Sequence, residues 1–211
     1  MTGVASYPPR VVPPPGGPPG APAPPPPPPT ATRPPASQPA RTGVWIAVGT
    51  ISMTFAALTS AMVVRQGAAP DWRHFQLPPL LYFNTLVLLA SSGTLEWSRR
   101  RIDSARGPAG VYLTLALGVL FVAGQVVAWR QLAAQGLFLA TAPSAAFFYV
   151  FTALHGLHVL GGLGGLTYVL HRLRGGGSTP APRAALGAAT LYWHFMDGLW
   201  LYLLVILVTR V

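Results

Sequence analysis

The sequence has no cysteine, which excludes disulfides and thiolate metal sites. Carboxylates are almost missing: four Asp and Glu stand against fourteen basic residues, for a net charge of +10. With five histidines, the ligand supply is short for a metal centre, and a di-iron site built on carboxylate pairs is out of reach. Charged residues make up 9% of the chain, against about 25% in a soluble domain. Hydrophobic residues make up 51%, and mean hydropathy is +0.45 despite a proline-rich beginning. That is the composition of an integral membrane protein. A nucleic-acid partner is rejected, because the arginines sit in short loops between apolar runs, where membrane topology rules place them. No early apolar core precedes Val44, so no cleavable signal peptide is expected.

What is present divides in two. Residues 1–42 hold seventeen of the 24 prolines, including the run Pro24–Pro29. Such a segment favours polyproline II and builds no core, so the expectation is a disordered or partner-docked tail. The remainder, 43–211, is expected to be an all-α bundle of five transmembrane helices. The apolar segments fall at about 44–64, 79–97, 110–130, 146–170 and 187–209, each near the ~20 residues that cross a bilayer. Pro78-Pro79, Pro108 and Pro143 stand where helices start, and Trp45, Trp97 and Trp129 stand near predicted ends. With five spans, ten arginines lie on the side of the tail and four on the other. The positive-inside rule then puts the N-terminus in the cytoplasm and the C-terminus outside.

The informative residues are polar ones at membrane depth. An Asp at a helix centre costs ~2.5–3.5 kcal/mol on insertion scales, so such groups come with partners. In the fourth span, Phe151, His155, His158, Gly162 and Gly165 form one stripe, and Gly161 and Gly165 make a small-xxx-small pair. In the fifth, His194 and Asp197 are three residues apart on one face. The second span brings Asn84 and Ser91 on one face and Thr85, Ser92 and Glu96 on the next; the third brings Gln125. Three readings follow: a His-carboxylate metal or haem site, a proton relay or transporter site, and a satisfied polar network that fixes helix packing. Ligand shortage weighs against the first, and the lack of an inverted repeat against the second. The third is favoured, as a structural network of His155, His158, His194, Asp197, Asn84 and Gln125, with His194 and Asp197 bonding to His155 or His158.

Two motifs then carry a family resemblance. Phe147-Phe148, Thr152, His155-Gly156, His158-Val159 and Gly162 follow one pattern, and Tyr192-Trp193-His194-Phe195-Met196-Asp197-Gly198-Leu199-Trp200 follows another. Together with Leu77-Pro78, Asn84-Thr85, Leu88 and Ser91-Ser92, they resemble subunit III of the haem–copper cytochrome c oxidases, in its short five-span bacterial form. The likeness runs over about 44–211. Ala153 departs from the family's glycine, and Ala128 stands where many bacterial members carry Glu in Gln-x-x-Glu-Trp. The resemblance implies a non-redox subunit, with haem and copper held in subunits I and II and no cofactor or metal in this chain. It implies packing against subunit I, phospholipid binding, and support of assembly and sustained proton uptake. Glu96, Arg99, Trp193 and Trp200 are candidates for lipid or subunit I contacts. It also implies the inner membrane of a bacterium. Subunit III of quinol oxidases and the accessory protein of nitric oxide reductases share the pattern and stay open. A stand-alone transporter or membrane cytochrome is the remoter class.

Overall fold

A computed structural model of the chain describes residues 39–68, 71–101, 107–174 and 180–211. The expectation of a disordered or docked tail lies, through residue 38, outside the described residues. Regular structure among the described residues is all α-helix: α1 (Pro39–Ala68), α2 (Leu80–Arg100), α3 (Gly107–Ala134), α4 (Pro143–Arg174) and α5 (Pro180–Arg210). Prolines open α1, α4 and α5, where an absent N–H leaves no intrahelical bond unmade. The end of α3 is set by Gly136, whose φ of 78° is left-handed. Around it, Leu137 N–H reaches Leu132 O at 3.1 Å and Gly136 N–H reaches Ala133 O at 3.0 Å, a Schellman closure of the helix.

Four of the five helices are long and apolar enough to cross a membrane: α1, α3, α4 and α5. The protein is therefore a multi-pass membrane protein. Five helices are present as expected, but one falls short of that measure, α2. That helix has 21 residues, but Asn84, Thr85, Ser91, Ser92, Thr94, Glu96 and Ser98 dilute its apolar character. Its polarity points inward, since Asn84, Thr85, Ser91 and Ser98 are all buried.

The helices form an arc around α5. Helix α5 touches α1, α2 and α4; α1 touches α4, α4 touches α3, and α3 lies along α2. Among the described residues α1 and α2 do not touch, so the arc is open between them. The pairing of α2 with α5 is antiparallel: Thr85 meets Trp200 while Ser91 meets Trp193. Helices α2 and α3 approach closely at Gly124, where any side chain would overlap Asn84. At one end of the bundle the α1–α2 connection folds over the end of α5. There Trp72 Nε1–H donates to Arg210 O and Phe75 N–H to Val211 O, both at 2.9 Å.

Candidate functional site

The polar groups expected to meet are distributed over several small sites, each at a helix–helix contact. Trp193 is 1% exposed; its indole N–H donates to Ser91 Oγ at 2.9 Å. The ring fits because α3 and α4 present glycines to it. A Cβ at Gly118 would stand 2.9 Å from the ring, and one at Gly162 would stand 3.2 Å away. Seven residues on, Trp200 donates to Thr85 Oγ1 at 2.9 Å. Trp193 and Trp200, expected at a lipid or subunit contact, thus turn inward, because an indole N–H at this depth needs an acceptor. The same logic places Trp129, which donates to Thr152 Oγ1 at 3.0 Å and ties α3 to α4.

His155 is fully buried among aromatic rings. Trp200 lies 5.1 Å away between centroids, and Phe121 packs edge-on at 5.9 Å. Neither of its nitrogens has a hydrogen-bond partner among the described residues. His158 closes on its own helix, with Nδ1–H donating to Leu154 O at 2.7 Å, and it packs against Phe55 of α1. The two histidines of α4 therefore point to different neighbours, and neither bonds to α5 through its ring.

His194 and Asp197 do come together, but through α2. Ser92 Oγ donates to Asp197 Oδ2 and lies 2.8 Å from His194 Nδ1. This corrects the expectation that His155 or His158 would be their partner: α2, antiparallel beside α5, lies nearer that face. His194 Nε2 is 4.0 Å from Glu96 Oε2. Glu96 itself is held by Arg99 and Arg100, each at 2.8 Å. A polar line thus runs from the arginines at the end of α2 to buried Asp197.

Asn84 and Gln125 are buried at 1% and 3% exposure, with Asn84 Nδ2 and both polar atoms of the Gln125 amide unpartnered among the described residues. Gln125 lines an otherwise apolar cavity of about 270 Å³ between α3 and α4, with Phe121, Trp129, Gly156 and Leu160 among its walls. Ala128, one turn further along α3, is fully buried. Among the described residues, no three His, Asp or Glu side chains converge into a group able to hold a metal ion. Outside the membrane, Asp71 bonds to Arg65 at 2.8 Å. That hydrogen bond, with the guanidinium charge adding to it, holds the Asp71 carboxyl below its ordinary value.

The sequence pattern placed Ser91, Ser92 and Thr85 on helix faces and in the family motif, but did not give them partners. The signal for their role was there: two tryptophans seven residues apart on α5, and hydroxyls six apart on α2. Gly118 carried no signal beyond being small.

The comparisons with known proteins agree with these motifs. Residues 50–209 match the family described as cytochrome c oxidase subunit III. A probable cytochrome c oxidase subunit 3 of Nocardia farcinica is 34% identical over 56% of this chain and 59% of its own length. The cytochrome c oxidase subunit 3 of Thermostichus vulcanus is 33% identical over 74% of this chain and 80% of its own. That of Gallus gallus is 36% identical over 59% of this chain and 47% of its own. The match thus spans less than two thirds of the Nocardia and Gallus relatives.

Proposed function

The chain belongs to the cytochrome c oxidase subunit III family, and we propose that it is the non-redox subunit III of a respiratory haem–copper cytochrome c oxidase. In this reading haem and copper are held by subunits I and II. This chain packs directly on subunit I, binds phospholipid, and supports assembly and sustained, proton-coupled oxygen reduction. It has no catalytic residue of its own. It lies in a bacterial inner membrane with five spans, the N-terminus cytoplasmic and the C-terminus outside.

The observation that carries the reading is how the intramembrane polar groups are used. Trp193–Ser91, Trp200–Thr85, Trp129–Thr152 and Ser92–Asp197 each tie one helix to another. Such pairs specify how a bundle packs, because an unmatched member at this depth is costly. His155, enclosed by Phe121 and Trp200, is a packing element of the same kind. The fifth span is supported by the length of α2. Its 21 residues reach ~32 Å at 1.5 Å per residue, enough for a ~30 Å hydrocarbon layer. Its buried Ser91 and Thr85 hydroxyls accept from tryptophans of α5 rather than facing lipid.

The test is affinity isolation of the chain from its membranes, with a visible spectrum of what comes with it. Haem bands should belong to co-isolated core subunits, and the separated chain should be colourless. A core stripped of this chain should keep its initial electron-transfer rate to oxygen within a small factor and lose endurance in turnover. A Soret band in the separated chain, or complete loss of electron transfer in an intact haem-loaded core, overturns the reading.

A further inference from the structure

We propose that the cavity between α3 and α4 binds an uncharged lipid alcohol, whose hydroxyl pairs with the side-chain amide of Gln125. The inference gives the chain a ligand site of its own and does not depend on the subunit reading above.

The cavity has the make-up of a small-molecule site, a mostly apolar hollow with few polar groups. Its volume is about 270 Å³, and it is open on one side. An apolar cavity of about 150 Å³ already takes a benzene ring. Phe121 and Trp129 give it aromatic walls. Leu157 and Leu160, which also line it, are exposed, so the opening faces the surroundings of the bundle. Among the described residues that line it, only Gln125 and Trp129 carry a polar side-chain atom. Trp129 spends its N–H on Thr152. Both atoms of the Gln125 amide are buried and without a hydrogen-bond partner among the described residues. The Gln125 side chain lines the hollow, and the broad terminal torsion of glutamine lets its amide turn into it. A buried amide left unpaired is costly, so the occupant of the cavity is the natural source of its partner.

Depth and pairing decide what that occupant is. In the span Pro108–Ala134, Gln125 lies nine residues from one end and seventeen from the other, or ~14 Å and ~26 Å along the helix. A phosphate or ammonium headgroup is held at the interface by its charge and does not reach that depth. An acyl chain reaches it but offers neither donor nor acceptor. A water molecule pairs with the amide, but buried waters make about three hydrogen bonds, and these walls supply one amide alone. A hydroxyl on an apolar body meets both demands. Its O–H donates to Gln125 Oε1, its oxygen accepts from Nε2–H, and its body covers the aromatic walls. The pairing holds whichever way the amide is turned, because a hydroxyl both donates and accepts.

The experiment uses the full chain in its native membranes and two photoactivatable probes of equal length, a diazirine-bearing octanol and the matching diazirine-bearing octane. Adducts are mapped by mass spectrometry, with yields on the cavity walls taken relative to exposed Leu120 of α3. In a bare bilayer the octanol keeps its hydroxyl at the interface, so partitioning alone favours the octane at this depth. The expected result is the reverse: saturable labelling of Val126, Leu157 or Leu160 by the octanol, about tenfold above the octane, the size of one hydrogen bond to a group otherwise unpaired. Gln125→Leu, close in volume, should bring the two probes level. Gly156→Leu should lower labelling by both, since Gly156 lines the hollow and a Cβ there meets nothing within 4 Å. Equal yields from the two probes on the unmodified chain, a hydroxyl preference that survives Gln125→Leu, or no adduct on these walls overturns the proposal. The comparison of probes on the unmodified chain stands even where a variant fails to fold. Displacement of the octanol by farnesol supports an aliphatic alcohol and displacement by a hydroquinone a phenolic one; displacement by neither counts against the site.

Discussion

Trp193 of α5 donates its indole N–H to Ser91 of α2 at 2.9 Å while its ring lies against Gly118 of α3 and Gly162 of α4. One side chain thereby sets the spacing of four helices, and two glycines make the space for it.

Gly118→Ala should therefore be costly, although alanine is the better helix former. Its methyl would stand 2.7 Å from Leu163 and 2.9 Å from Trp193. Overpacking of this kind typically costs ~1–3 kcal/mol. Gly165→Ala, open on all sides, should be neutral or slightly stabilising. Thermal unfolding in detergent, followed by circular dichroism, checks the pair; equal midpoints would mean that the Trp193 slot is soft.

The Trp200–Thr85 bond lends itself to a double-mutant cycle. Thr85→Val strands a buried indole N–H, at ~1–3 kcal/mol. Trp200→Phe combined with Thr85→Val should cost less than the two single changes summed, with a coupling of ~0.5–3 kcal/mol. Strict additivity would show that the two side chains merely sit near each other.

Asp197→Leu removes the acceptor for Ser92 and disturbs the His194 tie. The bundle or its assembly should loosen, while any oxidase that still forms keeps its haem spectrum. Asp197→Leu with Ser92→Ala should be milder than Asp197→Leu alone, because no hydroxyl is left without a partner. An altered haem spectrum in assembled enzyme would count against a purely structural role.

The arginine split predicts where the end of α5 emerges. A phosphatase reporter that folds only outside the cytoplasm, fused after Val211, should be active. A fusion active only as a cytoplasmic reporter would invert the topology.

At the loop between α1 and α2, the titration midpoint of Asp71 should lie below the usual 3.8, because Arg65 hydrogen-bonds and attracts the carboxylate. A depressed folded-state value contributes stability above the unfolded value and loses it as pH falls through the folded one. The pair is exposed, so the effect should fade with salt. Carbon-detected NMR of the side chain, with Arg65→Gln returning the midpoint toward normal, measures it.

How much of this could be read in the amino-acid order depends on what each residue encodes locally. Helix number and the start of α4 at Pro143 were legible, since apolar run length and the missing N–H are local properties. Whether α2 crosses was obscured, because hydropathy averages over a helix and cannot tell that Asn84, Thr85, Ser91 and Ser98 all turn inward. His194 and Asp197 were legible as a pair at i,i+3. Their partner was not: Ser92 is 102 and 105 residues away, and only the antiparallel lie of α2 on α5 selects it over the imidazoles of α4. Trp193 and Trp200 misled for a related reason, since an indole suits an interface as well as an interior that supplies a hydroxyl.

The central position of α5 has a consequence for biogenesis. Ribosomes deliver this chain in order, and the helix that supplies contacts to α1, α2 and α4 is the fifth to emerge. Until it inserts, Ser91 and Thr85 lack their indole donors, and the slot between Gly118 and Gly162 has no ring to fill it. The first four helices, already joined through contacts such as Trp129–Thr152, then stand in the bilayer without the ties that α5 supplies. Closure comes as a late, single event. A nascent chain truncated before Trp193 should be cleared rapidly by quality control, while one truncated after Trp200 should already have the ties that lock the core.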